Sequence, residues 1–314
     1  MLFSAFVVLG GLVLLATGAE GLVRGSTALA LRFGVTPLVV GLTVVSFGTG
    51  SPELFVSIQA ALKGESGLAL GNVVGSNISN IALILGLSSL ARPMKVRSEL
   101  IKREVPVMIA ITLLLCLLLL DGMLSRLEGL LLVAGSIGYT TYAYIAARRD
   151  RSAVVAEQFE EALVESRRAA WLDVLFVVIG FVLLLGGANV LLIGAVNIAE
   201  QFGVSQVVIG LTIVAIGTSL PELAASVVAS TRREPDVAFG NAIGSNILNI
   251  LLILGVAAVI RPIETQGLRI FDIVVLVASA VILLPLMWRG WVLNRWEGGF
   301  LLVSYVAYLY SVVS

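Results

Sequence analysis

Two glutamates sit inside apolar sequence, and both are framed alike. Glu53 ends the segment Gly48-Thr49-Gly50-Ser51-Pro52-Glu53, and Glu222 ends Gly217-Thr218-Ser219-Leu220-Pro221-Glu222. A charge at the centre of a membrane helix costs about 2.5–3.5 kcal/mol even on a lenient insertion scale. Placing it twice in the same setting demands a partner. Pro52 and Pro221 have no N–H, which frees a carbonyl near Gly48 and near Gly217 and, with the glycines, should interrupt each helix. Irregular backbone at membrane depth is tolerated where it lines a cavity or is buried in protein. Free carbonyls beside a carboxylate make a site for a hard cation.

Helical spacing adds oxygen ligands. Thr49, Glu53 and Ser57 are four apart and share a face, as do Thr218, Glu222 and Ser226. Downstream, Asn72, Ser76 and Asn80 share a face, and so do Asn241, Ser245 and Asn249. Gly71 with Gly75, and Gly240 with Gly244, permit close helix approach. Asn77 and Asn246 are expected mainly to hydrogen-bond between helices. Two carboxylates match one divalent ion, or two or three monovalent ions helped by neutral oxygens. A site that holds either load, but not comfortably both, meets the physical requirement for exchange.

The elements carrying these residues must lie in a membrane. Of 314 residues, 59% are apolar and 13% charged, about half the charged share of a soluble domain. Mean hydropathy is +1.06. This excludes an ordinary soluble enzyme, a disordered chain and a disulfide scaffold. Lys+Arg 20 balances Asp+Glu 20, so no basic excess points to nucleic acid. There is no histidine, and the one cysteine, Cys116, lies in the apolar run 113–120. Soft metals want thiolate or imidazole, so any bound metal should be hard. An intramembrane enzyme is disfavoured: the spans offer no histidine, no plausible Cys nucleophile, no Ser/Lys pair and no paired Asp.

The uncharged stretches predict ten helices, each needing about 20 apolar residues. They are Met1 to about Arg32, Phe33–Leu62 through Glu53, Ser66–Ala91, Val105–Leu120, Leu130–Ala147, Val174–Ala199, Gln201–Thr231 through Glu222, Val237–Ile260, Ile273–Trp288 and Gly298–Ser314. The first lacks the basic segment of a signal peptide and reads as a true span. Loops on the N-terminal side carry four Lys/Arg (Lys63, Arg126, Arg261, Arg269), and those on the other side carry fifteen. The second side is therefore expected to be cytoplasmic, with both termini extracellular. The polar stretch 148–168 is expected to be a cytoplasmic linker. Glu20 and Arg24 are four apart and can neutralise each other structurally.

The chain repeats at an offset of 169, with 30 identities in 60 ungapped positions over residues 34–93. Five helices per repeat is an odd number, so the second repeat enters the membrane from the opposite side. The expected fold is an all-α membrane protein of ten transmembrane helices. It is built as two inverted-topology five-helix repeats, 1–147 and 169–314, with broken second and seventh helices. That architecture serves secondary transporters with sites near the midplane.

These motifs resemble those of the cation/calcium antiporter superfamily, specifically its sodium/calcium exchangers. Each repeat of that family carries a Gly-Thr-Ser-x-Pro-Glu segment and a Gly-Asn-x-x-Gly-Ser-Asn-x-x-Asn/Asp segment. Here they are residues 48–53 with 71–80 and 217–222 with 240–249. The resemblance implies Glu53 and Glu222 as central ligands for calcium and sodium, completed by Ser76, Asn80, Ser245 and Asn249. It implies carbonyl ligands from Ser46, Thr49, Ala215 and Thr218, with the Ser219 hydroxyl. It further implies that the first and sixth helices slide as a bundle to alternate access. Two positions depart from the pattern: Gly50 stands at the usual serine, and Asn249 where many such exchangers have aspartate.

The leading expectation is sodium/calcium exchange across the cytoplasmic membrane, with no cofactor and no enzymatic activity. The expected partners are membrane lipid and the two ions, with no nucleic acid and a functional monomer. Calcium/proton exchange is the near alternative and a cation channel the distant one.

Overall fold

In lipid a backbone must satisfy its own hydrogen bonds, so apolar segments of this length fold as helices. The computed structural model describes residues 2–33, 37–98, 100–149, 170–203, 215–265, 268–288 and 290–313. Residues 150–169, most of the expected linker, and 204–214, part of the expected seventh helix, lie outside them. The helices are α1 (Leu2–Phe33), α2 (Leu38–Thr49), α3 (Ser51–Lys63), α4 (Ser66–Ala91), α5 (Val105–Leu118) and α6 (Arg126–Arg149). After the undescribed segment come α7 (Ala170–Gln201), α8 (Ala215–Thr218), α9 (Leu220–Thr231), α10 (Pro235–Ile260), α11 (Ile270–Met287) and α12 (Arg295–Val313).

Among the described residues six helices are long and apolar enough to span a bilayer, and the pair α2 and α3, bent by 47°, makes a seventh. The other expected spans fall short for local reasons. α5 has 14 residues and follows a π-helical turn, Leu100–Glu104, that carries charge. α12 opens on Arg295 and Glu297. α8 and α9 are preceded by the undescribed residues 204–214.

The helices divide by burial. α4 and α10 are 78% buried along their apolar windows, against 28–33% for α1, α6, α7 and α11. The site-bearing α4 and α10 therefore form the core. The others turn residues such as Phe6, Leu9, Val178 and Val182 outward, where lipid is the natural solvent.

α1 and α7 run antiparallel and touch along their length. Glycines at seven-residue spacing on both make this possible: Gly11, Gly18 and Gly25 on α1, and Gly180, Gly187 and Gly194 on α7. A Cβ at Gly18 would lie 2.5 Å from the Leu184 nitrogen, and one at Gly180 2.5 Å from the Leu22 nitrogen. Glu20 of α1 pairs with Arg24 at 2.5 Å, as its spacing implies, and also bonds Arg232 at the end of α9.

Two short antiparallel ribbons tie the halves of the chain together. β1 (Met94–Lys95) pairs with β4 (Val292–Leu293), and β2 (Met123–Leu124) with β3 (Ile263–Glu264). β3 and β4 are the 169-offset counterparts of β1 and β2, so the two ribbons are reciprocal.

A second repeated cluster escaped the sequence reading. Glu104, fully buried, accepts from Arg103 Nε at 2.8 Å and from the Tyr139 hydroxyl at 3.0 Å. Asp272 accepts from Arg269 Nη2 at 2.9 Å and from the Tyr308 hydroxyl at 3.2 Å. Each acid–arginine–tyrosine group joins consecutive helices and leaves no buried charge unpaired.

Substituting Gly18 by valine is expected to destabilise the protein by about 1–3 kcal/mol through overpacking. The readout is the thermal unfolding midpoint in detergent. An unchanged midpoint would show that α1 and α7 do not depend on this contact.

Candidate cation site at two helix breaks

Gly50 interrupts α2 and α3 with φ −75° and ψ 4°, and Ser219 interrupts α8 and α9 with φ −89° and ψ 5°. Both breaks precede a proline in the first turn of the next helix, where the missing N–H costs nothing. The chain recovers at once: Leu54 N–H bonds Gly50 O, and Leu223 N–H bonds Ser219 O, each at 3.0 Å. Glu53 and Glu222 thus stand in the first turns of α3 and α9, where the helix dipole favours negative charge. The carbonyl ends of α2 and α8 point at the same breaks and favour a cation.

Each carboxylate reaches toward the other half's break. Ser219 Oγ donates to Glu53 Oε1 at 3.2 Å. A Cβ built on Gly50 would lie 3.8 Å from Glu222 Oε1. The two glutamates are 1% and 2% exposed, so both lie away from bulk water. Gly50 therefore removes the hydroxyl that would mirror Ser219, and Glu222 lacks the serine contact that Glu53 has.

Asn72 and Asn241 brace the breaks. Asn72 Nδ2 donates to Glu53 O at 3.1 Å and to Ser57 Oγ at 2.9 Å. Asn241 Nδ2 donates to Glu222 O at 3.3 Å and to Ser226 Oγ at 3.0 Å, while its Oδ1 accepts from Thr49 Oγ1 at 3.2 Å. A shared face with Ser76 and Asn80 suggested further ligands here; the amides instead clamp glutamate backbone.

The remaining sequence-derived residues fall as follows. Asn80, Ser245 and Asn249 are buried on α4 and α10, with Ser76 one turn before Asn80. Ser46 ends near the first break, its hydroxyl 2.6 Å from Gly41 O and its carbonyl accepting Gly50 N–H at 3.0 Å. Thr218 closes α8 and is half-buried; Ala215 opens it. Gly240 and Gly244 admit α2 closely: a Cβ on Gly244 would lie 2.5 Å from Leu42 O. Gly71 and Gly75 meet nothing within 4 Å among the described residues.

Sequence reasoning also missed the π-helical turns, of which Asn80–Leu85 and Asn249–Leu254 each begin at a candidate ligand. Such turns are rare and concentrate at functional sites. Their signal is the repeated Asn-Ile-x-Leu-Ile-Leu-Gly that both halves carry.

Four buried oxygens of the expected ligand set have no hydrogen-bond partner: Glu53 Oε2, Glu222 Oε2, Asn80 Oδ1 and Ser245 Oγ. Leaving a buried polar atom unsatisfied costs about 1–3 kcal/mol. Carboxylate, amide and hydroxyl oxygens are what a hard cation takes as ligands. Among the described residues no cluster of three or more acidic, His or Cys side chains forms a competing metal site.

The apolar helices and this buried oxygen cluster define an integral membrane protein with a candidate cation site. The sodium/calcium exchanger protein family model matches residues 3–145 and 172–313, and the chain belongs to that family. CaxA of Alkalimonas amylolytica is 40% identical over the full length of both chains. The sodium/calcium exchanger MaX1 of Methanosarcina acetivorans is 32% identical over 96% of each. The solved sodium-calcium exchanger NCX_Mj, soaked with Na+ and Ca2+, superposes with a TM-score of 0.85 at 31% identity over 99% of both chains. The protein is accordingly a multi-pass membrane cation/calcium antiporter, of a family of transporters rather than enzymes.

Asn241→Ala should cost about 1–3 kcal/mol of stability, because the Glu222 carbonyl and the Ser226 hydroxyl lose their shared donor. Thermal unfolding measures it. A variant as stable as wild type would remove Asn241 from the brace.

Proposed function

We propose that the protein exchanges sodium for calcium through one central site alternately opened to each face of the cytoplasmic membrane. The observation that carries this is that two buried carboxylates, each with an unpartnered oxygen, reach toward each other's helix break in two repeat-related helices. Glu53 and Glu222 are the central ligands. Asn80, Asn249, Ser76 and Ser245 complete the site from α4 and α10, with carbonyls of Ser46, Thr49, Ala215 and Thr218 and the Ser219 hydroxyl. One calcium ion neutralises the pair, and two or three sodium ions with neutral oxygens offer an equivalent load. Sodium entering the cell drives calcium out.

The architecture we propose is ten spans in two inverted repeats, 1–147 and 169–314, joined by a cytoplasmic linker, 148–168. The reciprocal strand pairs support it, since an offset of 169 converts one into the other. The Lys/Arg asymmetry supports extracellular termini. The chain acts as a monomer.

In vesicles reconstituted with purified protein, Glu53→Gln and Glu222→Gln should each abolish calcium flux. Flux surviving in either variant removes that glutamate from the mechanism. With wild type, an imposed sodium gradient should drive calcium uptake at constant pH. Uptake driven by a pH gradient in the absence of sodium would assign proton coupling instead, and uncoupled conductive flux would make the protein a channel.

A further inference from the structure

Asn77 and Asn246 lie beside the proposed ligands but on neither ligand face. They form a reciprocal network between α4 and α10. Asn77 Nδ2 donates to Asn246 O, and Asn246 Nδ2 to Asn77 O, each at 3.2 Å. Asn249 Nδ2 donates to Asn77 Oδ1 at 2.9 Å, and Asn80 Nδ2 to Asn246 Oδ1 at 3.0 Å. All four side chains are at most 2% exposed.

The direction of each amide follows from what it faces. A backbone carbonyl only accepts, so the NH2 of Asn77 must point to Asn246 O, and its oxygen must face residue 249. That oxygen needs a donor, which Asn249 supplies with its own NH2. The Asn249 oxygen is then turned the other way. The same logic from Asn77 O through Asn246 turns the Asn80 oxygen away from the network, and that atom is among the unpartnered buried oxygens.

We infer that Asn77 and Asn246 are positioning residues, which orient the amides of Asn249 and Asn80 with oxygen toward the transported ion. This rests on the site proposed above. The same geometry makes residue 249 a donor to Asn77. A carboxylate there would set oxygen against Asn77 Oδ1, whereas an amide presents the donor that oxygen requires. With an amide at 249 the site's charge stays with Glu53 and Glu222.

The test is a double-mutant cycle read by equilibrium calcium binding to the purified full-length protein at fixed pH. Asn77→Ala frees the Asn249 amide to turn, and calcium Kd should rise about tenfold, the equivalent of one hydrogen bond. Asn249→Asp has oxygen at both terminal positions and needs no orienting. It should tighten binding in the Asn77→Ala background and fail to do so with Asn77 intact. Tightening by the same factor in both backgrounds, or an Asn77→Ala variant that binds like wild type, would overturn the inference. If Asn77→Ala does not fold, the mirror cycle of Asn246→Ala with Asn80→Asp decides in the same way. If neither alanine variant folds, the pair holds the fold and the inference is wrong. Glu53→Gln serves as the separate check: calcium binding unaffected by it would defeat the site itself, whatever Asn77 does.

Discussion

Two carboxylates buried in one low-dielectric space are the constraint from which the rest of the molecule follows. Each is expensive to remove from water, and two of like sign repel. Helix dipoles and a serine hydroxyl offset part of that cost. They leave one oxygen on each glutamate with no partner. A bound cation is the natural completion of such a site, and a site that is unstable when empty has reason to be always loaded. Exchange, rather than leak, is the behaviour that condition favours.

The surrounding structure serves this pair at several scales. The breaks at Gly50 and Ser219 turn helix ends inward, placing positive N-termini behind the carboxylates and carbonyls opposite them. Asn72 and Asn241 hold the backbone of each glutamate from the neighbouring buried helix. α4 and α10 are the most buried of the long helices, while the glycine-lined contact joins the more exposed α1 and α7. The reciprocal strands and the acid–arginine–tyrosine groups hold the chain together at a distance from the site.

Much of this was legible because membrane sequence is a quiet background. A glutamate beside Gly and Pro stands out there, and its recurrence 169 residues later with matching Asn and Ser shows which groups belong together. What escaped was directional. Spacing puts Asn72 on the face of Ser76 and Asn80, but a face does not say whether an amide donates to an ion's neighbour or accepts nothing. The π-helical turns change hydrogen-bond register without changing residue type, so periodicity passes over them. Glu104 follows Lys102 and Arg103 and reads as a charged edge, yet it is fully buried against Tyr139. The seven-residue glycine spacing of α1 and α7 hid in composition, where glycine is common in membrane helices.

The most direct measurement is an experimental structure of the calcium-loaded protein, with the ion located by its own scattering. The account predicts one calcium held by Glu53 Oε2 and Glu222 Oε2 together, each at about 2.3–2.6 Å. An ion bound by only one of these glutamates, or seated elsewhere while the two carboxylates remain apart, would contradict it.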